Sequence, residues 1–246
     1  MTLIEHGCQL VSVLFLMVVI SRQSGPSWYH LIVKWGSKMT FEESARRVLD
    51  HLVAHYGPQH WWEDGETVKD WVTMILIQQA TAQNVERALA NLAPYLTFER
   101  LNQLTSDELN ELVRPAGFYK QKTRSIQAML AWWRTYHNDV SAFQSISTPD
   151  LRRSLLSVRG IGPETADVML LYIFERRVFI ADQYALRLFK RLGLGDFANY
   201  AALSVATEPL LVEPDWVTVR EWHAVIDEHG KQYRKRPDMD ETWLLN

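Results

Sequence analysis

Asp182 and a glycine-containing turn about twenty residues before it are the features of this sequence whose residue types and spacing could support chemistry. The turn reads Gly160-Ile161-Gly162 and joins two apolar stretches, the second of which opens with Pro163. Both glycines permit positive backbone φ, and free amides at the start of the following helix can hold a phosphate without any net positive charge. Asp182 stands at the entry to a further helical stretch, where exposed amides should keep its carboxylate ionised.

Both features also have plain structural interpretations. A lone Gly-x-Gly turn can be merely a tight connection between two helices. The flanking residues Val158, Ile161 and Ala166 favour the helix-hairpin-helix arrangement, because they supply small apolar contacts that would pack the two helices around the turn. An aspartate at the start of a helix is most often an N-cap, and Asp182 could combine that role with a chemical one. The residues alone leave these alternatives open.

The elements around these features are predicted to be helices. From Thr40 onward, apolar residues recur at spacings of three and four with almost no two-residue alternation, which predicts an all-α protein. Trp71, Trp132 and Trp133 fall in such stretches and are expected in the core. The predicted helices span residues 41–55, 66–79, 83–93, 106–114, 119–136, 149–156, 163–175, 183–192, 200–211 and 215–229. The basic stretch 231–236 after the last of them is either a solvated tail or a phosphate contact.

Composition limits the possible classes of protein. The chain has 246 residues, 47% of them apolar, and a net charge of −3. Any contact with a polyanion must therefore be local, because affinity for a phosphate backbone comes from lysine and arginine. Cys8 is the single cysteine, so the chain cannot form an intrachain disulfide, a four-cysteine zinc site or an iron–sulfur cluster from its own thiolates. We expect no metal site.

Residues 1–38 are predicted to stand apart from the working domain. The apolar run from Leu10 to Ile20 is shorter than the roughly 20 residues that cross a bilayer. Glu5 and His6 precede it where a signal peptide carries basic residues. The segment is either an extension, for example from a mis-assigned start, or an extra helix packed on the domain. We expect no membrane association.

Several motifs together resemble one family. Residues 155–193 resemble the helix-hairpin-helix motif and catalytic aspartate of the endonuclease III superfamily of DNA glycosylases. Upstream, residues 76–81 resemble the family segment whose glutamine, here Gln79, fills the gap left by an extruded base. Residues 113–122 resemble the glycine turn before the hairpin, and residues 229–231 match a His-Gly-basic step. The resemblance covers roughly residues 40–235.

The resemblance implies a DNA glycosylase that acts on double-stranded DNA, with Asp182 stabilising the oxocarbenium-like sugar and positioning water. Bifunctional members carry a lysine two residues after the second hairpin glycine, where this chain has Glu164, so a monofunctional hydrolase is implied. The resemblance also implies a monovalent cation bound by the hairpin carbonyls. The four-iron cluster of many family members is not implied, because this chain does not have the four cysteines that bind it. The residues implied to contact DNA are Gly160, Ile161, Gly162, Glu164, Thr165, Gln79 and Lys231.

The base pocket is implied by an aromatic pair. Trp61 and Trp62 resemble the aromatic entry of the iron–sulfur-free 3-methyladenine DNA glycosylase III subgroup, which implies removal of positively charged N-alkylated purines. The chain departs from the family at Gln83, where the subgroup tends to have an aromatic residue, and at Tyr184, where endonuclease III often has histidine. The alternatives are an oxidised or mismatched base as substrate, a bifunctional enzyme using another lysine, and a non-catalytic DNA-binding module.

The resemblance further implies two helical lobes with DNA in the cleft between them. One lobe would comprise residues 60–176, and the other residues 39–59 together with 177–246. We expect a monomer in the cytoplasm, associated with the nucleoid.

Overall fold

The structure, a computed structural model, describes residues 39–61 and 65–246, and predictions that concern residues 1–38 or Trp62 lie outside this range. The described residues form helices and loops without a strand, which confirms the predicted all-α class. None of these helices is long and apolar enough to cross a membrane. The α-helices are α1 (Phe41–Tyr56), α2 (Thr67–Leu76), α3 (Ala82–Leu92), α4 (Phe98–Gln103), α5 (Ser106–Val113), α6 (Tyr119–Arg134), α7 (Thr148–Leu156), α8 (Pro163–Tyr172), α9 (Gln183–Arg191), α10 (Tyr200–Thr207) and α11 (Trp216–Lys235).

Two helix ends differ from the prediction for identifiable reasons. Helix α2 ends at Leu76, three residues early, and the carbonyl of Leu76 accepts a hydrogen bond from the Lys122 ammonium at 2.8 Å. Helix α11 continues through Gly230 to Lys235 instead of ending at residue 229. A Cβ at Gly230 would lie 2.7 Å from Cγ of Tyr184, so this glycine allows close packing of α11 on the start of α9 and does not stop the helix. Helix α4 was not predicted.

An aromatic cluster anchors the middle of the chain. Trp132 stacks on Phe143 at 5.0 Å between ring centroids, and Trp133 stacks on Phe174 at 5.6 Å. These contacts join α6 to Phe143, in the segment between α6 and α7, and to Phe174, directly after α8. Trp71, Trp132 and Trp133 are buried, as the sequence predicts.

A polar chain joins the first and last helices. The Tyr56 hydroxyl and Nδ1 of His229 are 2.9 Å apart, and Nε2 of His229 lies 2.8 Å from Glu241. Arg191 donates two hydrogen bonds to the same Glu241 carboxylate, at 2.8 and 2.7 Å. Residues 41–246 form one compact unit, and the division into one lobe of residues 60–176 and another of residues 39–59 with 177–246 stays a prediction.

Candidate active site

The hairpin turn, residues 157–162, joins α7 to α8 and rests on α6. Gly160 has a φ of +85°, and a Cβ there would collide with the Ser125 hydroxyl, so glycine is required both by the backbone and by the packing. Gly162 differs, because its φ is −89° and a Cβ would meet nothing within 4 Å. Of the two glycines that permit positive φ, only Gly160 therefore adopts it. The side of Gly162 on which a Cβ would stand is accessible to a binding partner.

Buried contacts hold the two helices of the hairpin together. Val158, Ile161 and Ala166 are buried, as predicted. The sequence reasoning missed Asp167, which is fully buried and accepts two hydrogen bonds from Arg152, at 2.6 and 3.0 Å. The Tyr200 hydroxyl donates a third at 2.8 Å. A buried carboxylate needs such partners, and here they tie α7, α8 and α10 together.

Asp182 is the N-cap of α9, and its Oδ1 accepts a hydrogen bond from the Ala185 amide at 2.9 Å. Burial, together with the charges of Glu164 and Asp227, raises the pKa of Asp182 to about 7, although hydrogen bonds from the Ala185 and Tyr184 amides oppose the shift. The expectation that the helix amides keep this carboxylate fully ionised is therefore wrong. Near neutral pH the carboxyl can both release and accept a proton.

Two more acidic groups lie near Asp182. Glu164 stands in the first turn of α8, and burial raises its pKa. Asp227 on α11 forms an ion pair with Lys231, and burial raises its pKa as well. The sequence reasoning missed Asp227, although its position four residues before Lys231 on a helix was a usable signal. The site therefore brings together three carboxylates and one ammonium group.

An aromatic wall adjoins these charges. The Trp61 ring meets the His223 ring edge-on at 5.9 Å, and the Lys231 ammonium lies 5.2 Å from the Trp61 centroid. The Tyr172 hydroxyl is 2.7 Å from Nδ1 of His223. Burial, with the charge of Lys231, lowers the pKa of His223 to about 4, so its imidazole is neutral at physiological pH. The sequence reasoning missed His223 and Tyr172.

The loops in front of α3 and α6 each carry an exposed residue at their tip. Gln79 is exposed and has a φ of +51°, and Phe118 is 59% exposed with a φ of +47°. Positive φ is uncommon outside glycine, and an exposed phenylalanine in that conformation is a functional candidate. The sequence reasoning missed Phe118. A bulky apolar residue directly after the turn glycine, Gly117, was the available signal.

The donor groups of an iron–sulfur cluster are not supplied by this chain. Its single cysteine, Cys8, cannot provide four thiolates. At the C-terminal end, Glu241 joins Arg191 and His229 in the contacts described above. Within residues 39–61 and 65–246, no three histidine, cysteine, aspartate or glutamate side chains are grouped for a metal ion.

Comparison with known proteins agrees with this arrangement. The model of the HhH-GPD superfamily of base excision DNA repair proteins matches residues 72–203, more than half of the chain. A Methanocaldococcus jannaschii protein that carries the name of a DNA repair glycosylase is 36% identical over 199 residues, which cover 79% of this chain and 90% of that protein. An endonuclease III from Rickettsia felis is 28% identical over 174 residues, which cover 69% of this chain and 76% of that protein.

A solved structure shows the same fold. The H. pylori 3-methyladenine DNA glycosylase bound to 1,N6-ethenoadenine matches with a TM-score of 0.62 at 22% identity, over 79% of this chain and 98% of that one. The hairpin, the capping aspartate after it and the matched family region coincide in one chain. This chain therefore belongs to the HhH-GPD superfamily of base excision DNA repair proteins, and it is a DNA repair glycosylase.

Proposed function

We propose that this glycosylase is monofunctional and hydrolyses the N-glycosidic bond of alkylated purines, chiefly 3-methyladenine, in double-stranded DNA. One observation carries the proposal, namely that Asp182 is flanked by Glu164 and Asp227. Glu164 occupies the hairpin position at which strand-cleaving relatives carry a lysine, and a carboxylate cannot form a Schiff base with the sugar. The reaction proposed is therefore hydrolysis of the N-glycosidic bond, with Asp182 as the catalytic carboxylate.

The reaction needs one ionised carboxylate. As the bond between C1′ and the base nitrogen breaks, positive charge grows on the sugar, and the Asp182 carboxylate stabilises it. Water attacks C1′ and passes its proton to Asp182, whose raised pKa makes it a competent acceptor. A positively charged base departs as a neutral molecule with the electrons of the broken bond. No acid is needed to protonate it.

The charge of the site favours a cationic base. Asp182, Glu164 and Asp227 outnumber the Lys231 ammonium, which is already paired with Asp227. An electron-deficient ring gains from stacking on an indole such as Trp61, and the proposed pocket includes Trp61 and Trp62. Lys122, by contrast, is buried and donates to two carbonyls, which makes it a poor candidate for a nucleophile.

DNA would meet the hairpin turn and the two loop tips. The amides of Gly162, Glu164 and Thr165 at the start of α8 suit one backbone phosphate, whereas the Ile161 amide already donates to the Val158 carbonyl at 3.1 Å. A monovalent cation at the hairpin carbonyls stays a prediction. Gln79 would fill the space of the extruded base, and Phe118 would wedge between neighbouring bases. This contact is local, as the net charge of −3 demands.

Substituting the two hairpin glycines should separate folding from DNA binding. Gly160→Ala meets Ser125 and strains a backbone φ of +85°, so the free energy of unfolding should fall by about 2 kcal/mol in urea denaturation. Gly162→Ala meets no protein atom within 4 Å and should leave stability unchanged. Its methyl group would still weaken binding to duplex DNA several-fold in a fluorescence anisotropy titration. Equal DNA affinity of Gly162→Ala and wild type would contradict phosphate contact at this turn.

Base release from methylated DNA tests the proposed reaction. Wild-type protein should free 3-methyladenine from duplex DNA treated with a methylating agent, as detected by chromatography of the released bases. Strand breaks should appear only after alkali, and borohydride should trap no covalent adduct. Release of an oxidised pyrimidine or a mismatched base instead would reject the substrate, and a borohydride-trapped adduct would reject the monofunctional mechanism.

A further inference from the structure

Gln78, the neighbour of Gln79, reaches across to the hairpin. Its side-chain amide donates to the Gly160 carbonyl at 3.3 Å and to the Thr165 hydroxyl at 3.1 Å. Gln79 itself has a φ of +51°, a conformation that persists only where the surroundings fix it. The Gln78 side chain therefore ties the backbone that carries Gln79 to both the hairpin turn and the first turn of α8.

Lys122 makes a second tie, between the two loop tips. Its ammonium is buried and donates to the carbonyls of Leu76 and Ala116, at 2.8 and 2.7 Å. Leu76 is the last residue of α2 before the Gln79 loop, and Ala116 directly precedes Gly117 and Phe118. The negative end of the α2 dipole favours a cation at that place. Burial also lowers the pKa of Lys122.

The same helix supports the hairpin turn. Helix α6 begins directly after Phe118, carries Lys122 at the end of its first turn and places Ser125 against Gly160. The Gln79 loop (residues 77–81), the Phe118 turn and the hairpin turn are thus joined by two side chains and one close packing contact. Gln79 and Phe118 stay exposed at the tips.

We propose that Gln78 and Lys122 are positioning residues that hold the Gln79 loop and the Phe118 turn in register with the hairpin. This inference rests on the proposed function, in which the hairpin grips a phosphate and the two tips replace an extruded base. Extrusion of the base then depends on the distance between the hairpin turn, which binds the phosphate, and the side chains of Gln79 and Phe118. A displacement of about 1 Å can slow such a step strongly although no substrate contact is lost.

The hydrogen bonds of Gln78 and Lys122 should affect the excision rate of a paired base and not that of a base that is already accessible. Gln78→Ala and Lys122→Met should each lower the single-turnover rate of 3-methyladenine excision from fully paired duplex DNA by about tenfold. Excision of the same base from single-stranded DNA should change less than about twofold. Equal losses on both DNAs would overturn the proposal, because a general structural defect or a catalytic role affects both.

Fluorescence provides a readout that does not depend on which base is excised. The probe is a duplex in which 2-aminopurine stands next to a tetrahydrofuran abasic analogue. Its fluorescence should increase when Gln79 and Phe118 of the wild-type protein insert and unstack the 2-aminopurine. Both variants should give a smaller increase in fluorescence at saturating protein. An unchanged rise would overturn the positioning role. If wild type brightens this DNA but excises no methylated base, the substrate proposal fails while the positioning proposal stands.

A matched control distinguishes these ties from ordinary surface contacts. Gln127 on α6 also donates its amide to a hydroxyl, that of Ser106 at 2.9 Å, on an exposed surface. Gln127→Ala should change neither the fluorescence nor the ratio of duplex to single-strand rates. Thermal denaturation shows whether Lys122→Met folds, and Gln78→Ala decides the proposal if it does not.

Discussion

Asp182→Asn should slow excision severely and at the same time stabilise the protein above neutral pH. The loss of the carboxylate removes stabilisation of the sugar cation and acceptance of the water proton, and we expect the single-turnover rate to fall about a thousandfold. Asparagine caps helices about as well as aspartate, so the bond to the Ala185 amide persists. Loss of activity would therefore not reflect unfolding.

The gain in stability follows from the direction of the pKa shift. The pKa of Asp182 is about 7 in the folded protein against 3.8 ordinarily, so the folded state binds the proton more tightly. Ionisation then destabilises the fold as pH rises from about 4 to 7, and the full penalty is present above 7. Asp182→Asn should raise the free energy of unfolding by about 2 kcal/mol at pH 8 and change it little below pH 4.

Asp215 is the matched control for this measurement. It caps α11 through the Thr218 amide at 2.8 Å, and that bond lowers the pKa of this exposed carboxyl. A lowered pKa stabilises the fold above the unfolded pKa, so Asp215→Asn should weaken the protein slightly at pH 8. Denaturant unfolding at pH 8 and pH 4 tests both signs. If Asp182→Asn also lowers stability at pH 8, the raised pKa is wrong.

The sequence predicted the local elements well because helix periodicity and glycine turns are local signals. The hairpin, the capping aspartate and the buried tryptophans were all visible in short stretches of chain. The end of α2 was misplaced, and the contact made there, from the Lys122 ammonium to the Leu76 carbonyl, comes from a residue 46 positions further along the chain. The predicted helix 215–229 was too short, because Gly230 serves close packing on the Tyr184 ring of another helix, which the local sequence does not show.

The electrostatic state of the site could not be predicted from the sequence for the same reason. The amides that lower the pKa of Asp182 come from the adjacent residues of α9, whereas Glu164 and Asp227 approach from α8 and α11. Burial, the largest cause, depends on the whole fold. His223 and Tyr172 joined the aromatic wall only once α8 and α11 were placed together.

The pH dependence of excision should show directly how these neighbouring groups shift the pKa of Asp182. With the pKa of Asp182 at about 7, kcat/KM should rise about tenfold per pH unit below 7 and level off above it, because the ionised carboxylate is the active form. Glu164→Gln removes a like charge that raises this pKa. The variant should reach its plateau at a lower pH and keep a larger fraction of its maximal rate at pH 6.

The test is the pH at which kcat/KM reaches its plateau, and not the value of kcat/KM at the plateau, because Glu164 also lies where DNA is proposed to bind. The substrate base must keep a constant charge over the pH range used. Glu99→Gln, an exposed change on α4, should leave the curve where it is in wild type. An unshifted curve for Glu164→Gln would show that the two carboxylates do not interact. A wild-type rate that falls as pH rises would show that the protonated carboxyl is the active form, and that Asp182 acts as an acid on a neutral base.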